Sequence, residues 1–377
     1  MDFQNVNLLN VRTNMISGNL FPMTADNSSF AIGWKIYSAV IWLILIVIVI
    51  GFFFGFILVP KAKAISDGMI GTVFTVEVFF MVVRIHTKRN LVKKFIQNMN
   101  DILHVQDETM RRTVISSLKL MHSPFKFYWL SGIITSTIWI GMPFTSVFKK
   151  SSFFYEDFRL PFAISKQPFS TEIFLLGGIM LTICSIFIVG KKVAVDIYML
   201  NFVLLMTAQY RYIAMKLEKI FQEEYSEDNY NNSQQKHRPK TKSWAETEIK
   251  AVCRHHNTVV YLSSILKKLL SLNFSLIYVN SVLRFSFVGV MLSNTALLTT
   301  FVERISMVFF ASGEIIQFYI LCSNVQKLLD ASTKMTEVAF HENWYQSESS
   351  LKLNRSKFKK KHLIFKINIH LNVHECT

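Results

Sequence analysis

Three stretches of the sequence run apolar and uncharged for the thickness of a lipid bilayer: Ile36 to Pro60 over 25 residues, Phe127 to Phe148 over 22 and Ile173 to Gly190 over 18. A helix rises about 1.5 Å per residue, so each crosses, or nearly crosses, a hydrocarbon core of about 30 Å. Three further apolar stretches carry one charge each: Gly68 to Val83 with Glu77, Leu269 to Val302 with Arg284, and Ile305 to Gln326 with Glu314. A soluble chain spreads its apolar residues at helical spacing over many amphipathic helices, whereas this one collects them. The expectation is an all-α integral membrane protein with six transmembrane helices.

The 14 uncharged residues from Ile197 to Tyr210 follow the fourth span across Lys191, Lys192 and Asp196. They are too few for another span and read as the fourth helix continuing out of the bilayer. The stretch from Leu269 to Val302 is about 51 Å long as one helix, so its first part also projects. With the amphipathic segment from Thr247 to Leu270, these extensions form a helical domain beneath the membrane. The expected organisation is a cytoplasmic N-terminus over residues 1–35, a six-span bundle over 36–326 with cytoplasmic helices near 84–126 and 191–270, and a cytoplasmic tail over 327–377.

Orientation follows from Lys and Arg. With the N-terminus inside, the inner segments hold 33 and the outer loops 7, the bias expected of cytoplasmic segments. The sequons at Asn27, Asn231 and Asn354 then fall on the cytoplasmic side. Residues 1–35 contain no apolar signal-peptide core, so the first span serves as its own anchor. The stretch from Glu223 to Lys242 is polar and mixed in charge and reads as a disordered cytoplasmic loop.

The net charge of +16 raises the possibility of a nucleic-acid partner, but the basic runs, such as Lys88 to Lys94 and Lys357 to Lys361, border spans. Anionic lipid headgroups account for them there, and no nucleic acid is expected. No nucleotide-binding, zinc-protease or serine-hydrolase motif occurs. Cys253, Arg254, His255 and His256 are the nearest approach to a metal cluster. On a helix only Cys253 and His256 of these share a face, which is too few ligands for a closed zinc site, and the segment reads as a solvated helix face. No enzyme activity, metal or cofactor is expected. Gly51 and Gly55 form a GxxxG pair able to bring the first span close to another helix.

Charges inside spans face the protein interior and are paired, because an unpaired one costs about 2.5–3.5 kcal/mol at the bilayer centre. Glu77 lies shallower than Glu314, which makes it the better matched partner for Arg284, and Glu77 with Arg284 is the expected intramembrane pair. The outer halves of the spans carry aromatic, sulfur-bearing and small hydroxyl side chains: Phe74 on the second, Thr135, Trp139 and Phe144 on the third, Met180 on the fourth, Phe287 and Met291 on the fifth. An apolar cavity with a few hydroxyls and an indole N–H is the usual make-up of a small-ligand pocket, and these seven residues are its expected lining.

Three segments carry a family resemblance: VDIYMLNFVLLMTAQYRYIAMKL from Val195 to Leu217, KAVCRHHNTVVYLSSILKKL from Lys250 to Leu269 and KMTEVAFHENWYQ from Lys334 to Gln346. With the span count and the cytoplasmic N-terminus, the chain resembles the insect odorant receptor family over roughly residues 15–351. The Asp196 region, the His255 or His256 position and the Ala339 to Trp344 block match best. The resemblance implies an odorant-gated cation channel subunit of the plasma membrane, sensing small volatile hydrophobic molecules and assembling with a co-receptor in a hetero-tetramer. It also implies a seventh, pore-lining span. After Leu351 the chain instead holds seven Lys or Arg between Lys352 and Lys366, and its longest uncharged run there is eight residues. Such an ending does not cross a bilayer, so the expectation is an atypical or truncated C-terminus and a form that conducts no current. The competing class is a multi-span transporter, but no internal repeat of the transporter kind is visible.

Overall fold

The computed structural model describes residues 1–24, 30–64, 68–105, 107–163, 165–231, 239–293 and 301–341. The helices are α1 (Phe3–Val6), α2 (Leu8–Ile16), α3 (Ile32–Leu58), α4 (Lys61–Lys63), α5 (Met69–Thr87), α6 (Arg89–Leu103), α7 (Glu108–Lys119), α8 (His122–Gly141), α9 (Thr171–Asn231), α10 (Pro239–Ser293) and α11 (Phe301–His341). Among the described residues the sole β feature is an isolated bridge between Phe153 and Phe169. Among the described residues six helical segments are long and apolar enough to cross a membrane: α3, α5, the run Glu108–Phe148 that includes α8, α9, α10 and α11. The protein is an all-α integral membrane protein with six such helices.

The hub is α9, which packs against α2, α3, α5, α7, α8, α10 and α11. It is one continuous helix of 61 residues, about 90 Å long at the usual rise and about three times the hydrocarbon thickness. Every residue from Lys191 to Tyr210 is buried, which explains why the part from Ile197 onward is uncharged and mostly apolar on every face, as suits a helix enclosed by neighbours. Along α10 the buried residues Val252, His256, Val259, Leu266, Leu270, Asn273, Ile277, Arg284, Val288 and Met291 recur at steps of three, four or seven and form one seam. The same periodicity places Val92, Phe95, Ile96, Met99, Ile102 and Leu103 of α6 inward.

The polar linker expected over 223–242 is largely helical. Helix α9 runs on to Asn231, and α10 begins at Pro239, a residue whose fixed φ and missing N–H suit a first helical turn. Only residues 232–238 of that linker lie outside the described residues. The expectations for the tail after Leu351, and the sequons at Asn27 and Asn354, also lie outside them.

Residues 1–23 pack against α9. Asn7 Nδ2 donates to Asn201 Oδ1 at 3.0 Å, Asn14 Nδ2 to the Ala194 carbonyl at 3.3 Å, and Tyr198 donates from its hydroxyl to the Pro22 carbonyl at 2.6 Å. Lys191 Nζ donates to the Ser17 carbonyl at 2.8 Å and lies 4.1 Å from the Trp42 ring centre. Phe3 stacks on Phe202 at 5.3 Å. The GxxxG pair contacts a loop where a helix was expected. A Cβ on Gly55 would stand 2.5 Å from the Pro161 backbone and one on Gly51 2.5 Å from the Phe162 ring, while Ala163 N donates to the Gly51 carbonyl at 3.0 Å. The connection between α8 and α9 thus folds back onto α3.

Candidate functional site

Between α3, α5, α8, α9 and α11 the packing leaves a cavity of about 130 Å³. Ile48 and Phe52 face it from α3, Gly71, Phe74 and Thr75 from α5, Thr135, Ser136 and Trp139 from α8, Leu181, Cys184, Ser185 and Ile188 from α9, and Met307 and Phe310 from α11. Leu160 of the α8–α9 connection also lines it, and the neighbouring Arg159 guanidinium sits 4.5 Å from the Trp139 ring centre, a cation–π contact that pins the connection to the wall. The connection is itself held by aromatic stacking, with Phe153 on Phe174 at 4.2 Å and Phe158 on Phe174 at 4.9 Å.

Of the seven residues expected in the lining, Phe74, Thr135 and Trp139 are there. Phe144 packs elsewhere, with its ring against Gly178, where a Cβ would stand 2.4 Å away, and edge-on to Phe174. Met180 is on α9, but the face turned to the cavity is that of Leu181, Cys184 and Ile188, and its immediate neighbour points about 100° away. Phe287 and Met291 of α10 stand behind the wall, in a small cluster with Met307, Trp139 and Ile70. The contributions of α3, of α11 and of Leu160 were not foreseen, because an apolar residue that faces a cavity has the same composition as one that faces lipid.

One helical turn beyond the cavity lies a layer of buried charge. From Phe74 to Glu77, from Ile188 to Lys192 and from Phe310 to Glu314 the step is three or four residues, so all three charges lie on the cavity side of their helices. Arg284 Nη2 stands 3.3 Å from Glu77 Oε2, and its Nη1 stands 3.1 Å from Glu314 Oε2. Lys192 Nζ is 3.0 Å from Glu77 Oε1 and 2.7 Å from Asp196 Oδ1. Asn280 donates to Glu77 at 3.1 Å, Gln317 to Asp196 at 2.8 Å and Tyr128 to Asp196 at 3.3 Å. Each of the five ionic residues is 4% exposed or less, a burial tolerated only where every charge has a partner. Glu77 and Arg284 meet, but within a network in which Arg284 bridges both glutamates. Lys192 and Asp196, read from sequence as lying beyond the span, are members of it. The Arg284 guanidinium also lies 5.6 Å from the Phe74 ring centre, so the charged layer and the cavity share a wall.

His255 and His256 are not on a solvated face. His256 is 1% exposed, while His255 Nε2 meets Gln209 Oε1 at 3.1 Å and its ring packs edge-on to Tyr212, which joins α10 to α9. Among the described residues no group of three His, Cys, Asp or Glu could hold a metal ion.

Among the described residues, six membrane-length helices, five of which line an apolar cavity beside a paired charged layer, define a multi-span membrane protein. Residues 63–365 match the 7tm Odorant receptor family, and the chain belongs to that family. The match continues past Leu351 into the basic tail. The fold is similar to that of the insect olfactory receptor OR5 from Machilis hrabei, with a TM-score of 0.70 and 13% identity over 96% of this chain and 88% of that one. The same receptor in complex with eugenol gives a TM-score of 0.70 and 15% identity over 97% and 91%. No curated protein matches the chain.

Proposed function

We propose that the cavity between α3, α5, α8, α9 and α11 binds small volatile hydrophobic molecules, and that the chain is a subunit of an odorant-gated cation channel. In this reading it sits in the plasma membrane with a cytoplasmic N-terminus and works with a co-receptor subunit in a hetero-tetramer. The observation that carries the ligand reading is the cavity, apolar over most of its wall and bordered by Trp139, in a chain of the odorant receptor family. That Machilis hrabei OR5 was solved with eugenol, a molecule with one aromatic ring, supports the same class of ligand here. The excess of Lys and Arg on one side of the spans supports the orientation.

The test is binding. The full chain, purified into lipid nanodiscs, is titrated with a panel of volatile esters, phenols and terpenes, and its affinity ranking is compared with that of Trp139→Ala. A changed ranking at unchanged yield is expected. An identical ranking would place the ligand elsewhere. The subunit reading predicts that the chain copurifies with a co-receptor when the two are expressed together, and recovery of the chain alone would count against it.

A further inference from the structure

We propose that the cavity selects neutral molecules of about one aromatic ring bearing a single hydrogen-bonding oxygen, and that the Thr135 hydroxyl is the group that recognises the oxygen. This rests on the reading of the cavity as the ligand site.

Size comes first. A cavity of about 130 Å³ is close to the roughly 150 Å³ engineered apolar cavity known to take up benzene, so a single ring with a short substituent fills it. Most of its wall is carbon and sulfur, from residues such as Phe52, Phe74, Leu160 and Met307. Apart from the Cys184 thiol, no titratable side chain lines it. A charged ligand would therefore lose its water without meeting a counter-charge. The two cations that border the wall are engaged, Arg284 by Glu77 and Glu314 and Arg159 by the Trp139 ring. Behind Phe74 three carboxylates face two cations, a balance that disfavours an anion in particular.

The polar part of the wall is a strip of hydroxyls, Thr75, Thr135, Ser136 and Ser185. Hydroxyls in these spans commonly donate to the carbonyl four residues back, as Thr72 does to Gly68, Thr182 to Gly178 and Ser185 to Leu181, at 2.8 to 2.9 Å. Of the four, Thr135, 4% exposed, is the one whose hydroxyl oxygen is buried without a partner among the described residues. A buried hydroxyl in that state has lost water without replacing it, so a ligand oxygen that reaches it gains a bond while the protein gives up none. A threonine in a helix has two accessible χ1 wells, about 120° apart, and a change of well re-aims the hydroxyl.

The experiment uses benzyl alcohol and ethylbenzene, which share one heavy-atom skeleton and differ by hydroxyl against methyl, with benzylammonium as the charged analogue. Binding to the full chain in nanodiscs is measured for wild type, Thr135→Val and Thr135→Ser. Thr135→Val is expected to weaken benzyl alcohol by about five- to tenfold, the value of one hydrogen bond. Ethylbenzene should change less than twofold, Thr135→Ser should restore alcohol binding, and benzylammonium should not bind. Equal effects of Thr135→Val on alcohol and hydrocarbon, or none on either, would overturn the proposal and leave the cavity as the ligand site. Absence of wild-type binding for both neutral compounds, or affinities untouched by Trp139→Ala, would overturn the cavity reading and the proposal together.

Discussion

Arg284 shows most plainly what a single residue does in this bundle. It contacts Glu77 on α5 and Glu314 on α11 and lies over the Phe74 ring, so its removal leaves two buried carboxylates short of a partner. Arg284→Leu is expected to destabilise the protein by about 3–5 kcal/mol, read as a lowered unfolding midpoint in detergent and a reduced monodisperse yield. Arg284→Lys should lose less. Exchange of the charges at 77 and 284 is expected to fail as a rescue, because an arginine at 77 would face Lys192 and a glutamate at 284 would face Glu314. Recovery of wild-type stability in that double variant would show that the network acts as one isolated pair. Three of the five charges were visible in the sequence because each interrupts an apolar run. Lys192 and Asp196 were not, since charges at the end of a run look the same whether they meet water or other helices.

Among the elements, the α8–α9 connection and α7 show how local chemistry fixes placement. Gly55 is needed because the Pro161 backbone occupies the space of a side chain, whereas a Cβ on Gly33 of the same helix would have nothing within 4 Å. Gly55→Ala should therefore lower the unfolding midpoint and weaken ligand binding by displacing Leu160 from the cavity. Gly33→Ala should be neutral or raise stability by about 0.5–1 kcal/mol through helix propensity. Equal midpoints for the two variants would argue against the loop contact. At the start of α7, Asp107 accepts from the Thr109 and Met110 N–H groups at 2.8 and 3.3 Å and from the Tyr212 hydroxyl at 2.8 Å, and it meets Lys216 Nζ at 2.9 Å. Burial alone would raise its carboxyl, but the hydrogen bonds from Lys216 and Tyr212 outweigh it and hold the group at about 2. The folded value lies below the ordinary 3.8, so this link between α7 and α9 contributes fully above about pH 4 and is lost as the pH falls toward 2. Asp107→Asn should flatten the stability-against-pH curve in that window, and a curve identical to wild type would remove Asp107 as its source. The helices themselves were legible, those near 84–126 as a cytoplasmic helical region and the spans from their apolar length. The route of the connection was not, because a GxxxG pair reports close approach without naming what approaches.

For the molecule as a whole, orientation is the most exposed expectation. An epitope at residue 2 should be reached by antibody only after permeabilisation, and labelling of intact cells would overturn the charge-based topology. The six-helix class followed from the apolar runs alone, whereas the cavity's lining followed only in part, since a void is a property of how five helices meet and is written in no single one of them. The asparagine-rich segment that docks on α9 was likewise read only as a tail before the first span. Its contacts join residues as far apart as Asn7 and Asn201, 194 positions along the chain. A ribosome adds about 5–20 residues each second, so the first residues wait roughly 10 to 40 s for the helix they dock on to be made. Until then their buried polar face has no surface to settle on. This segment docks only after four of the spans have been synthesised, while α10 and α11, which pack on the same helix, have still to follow.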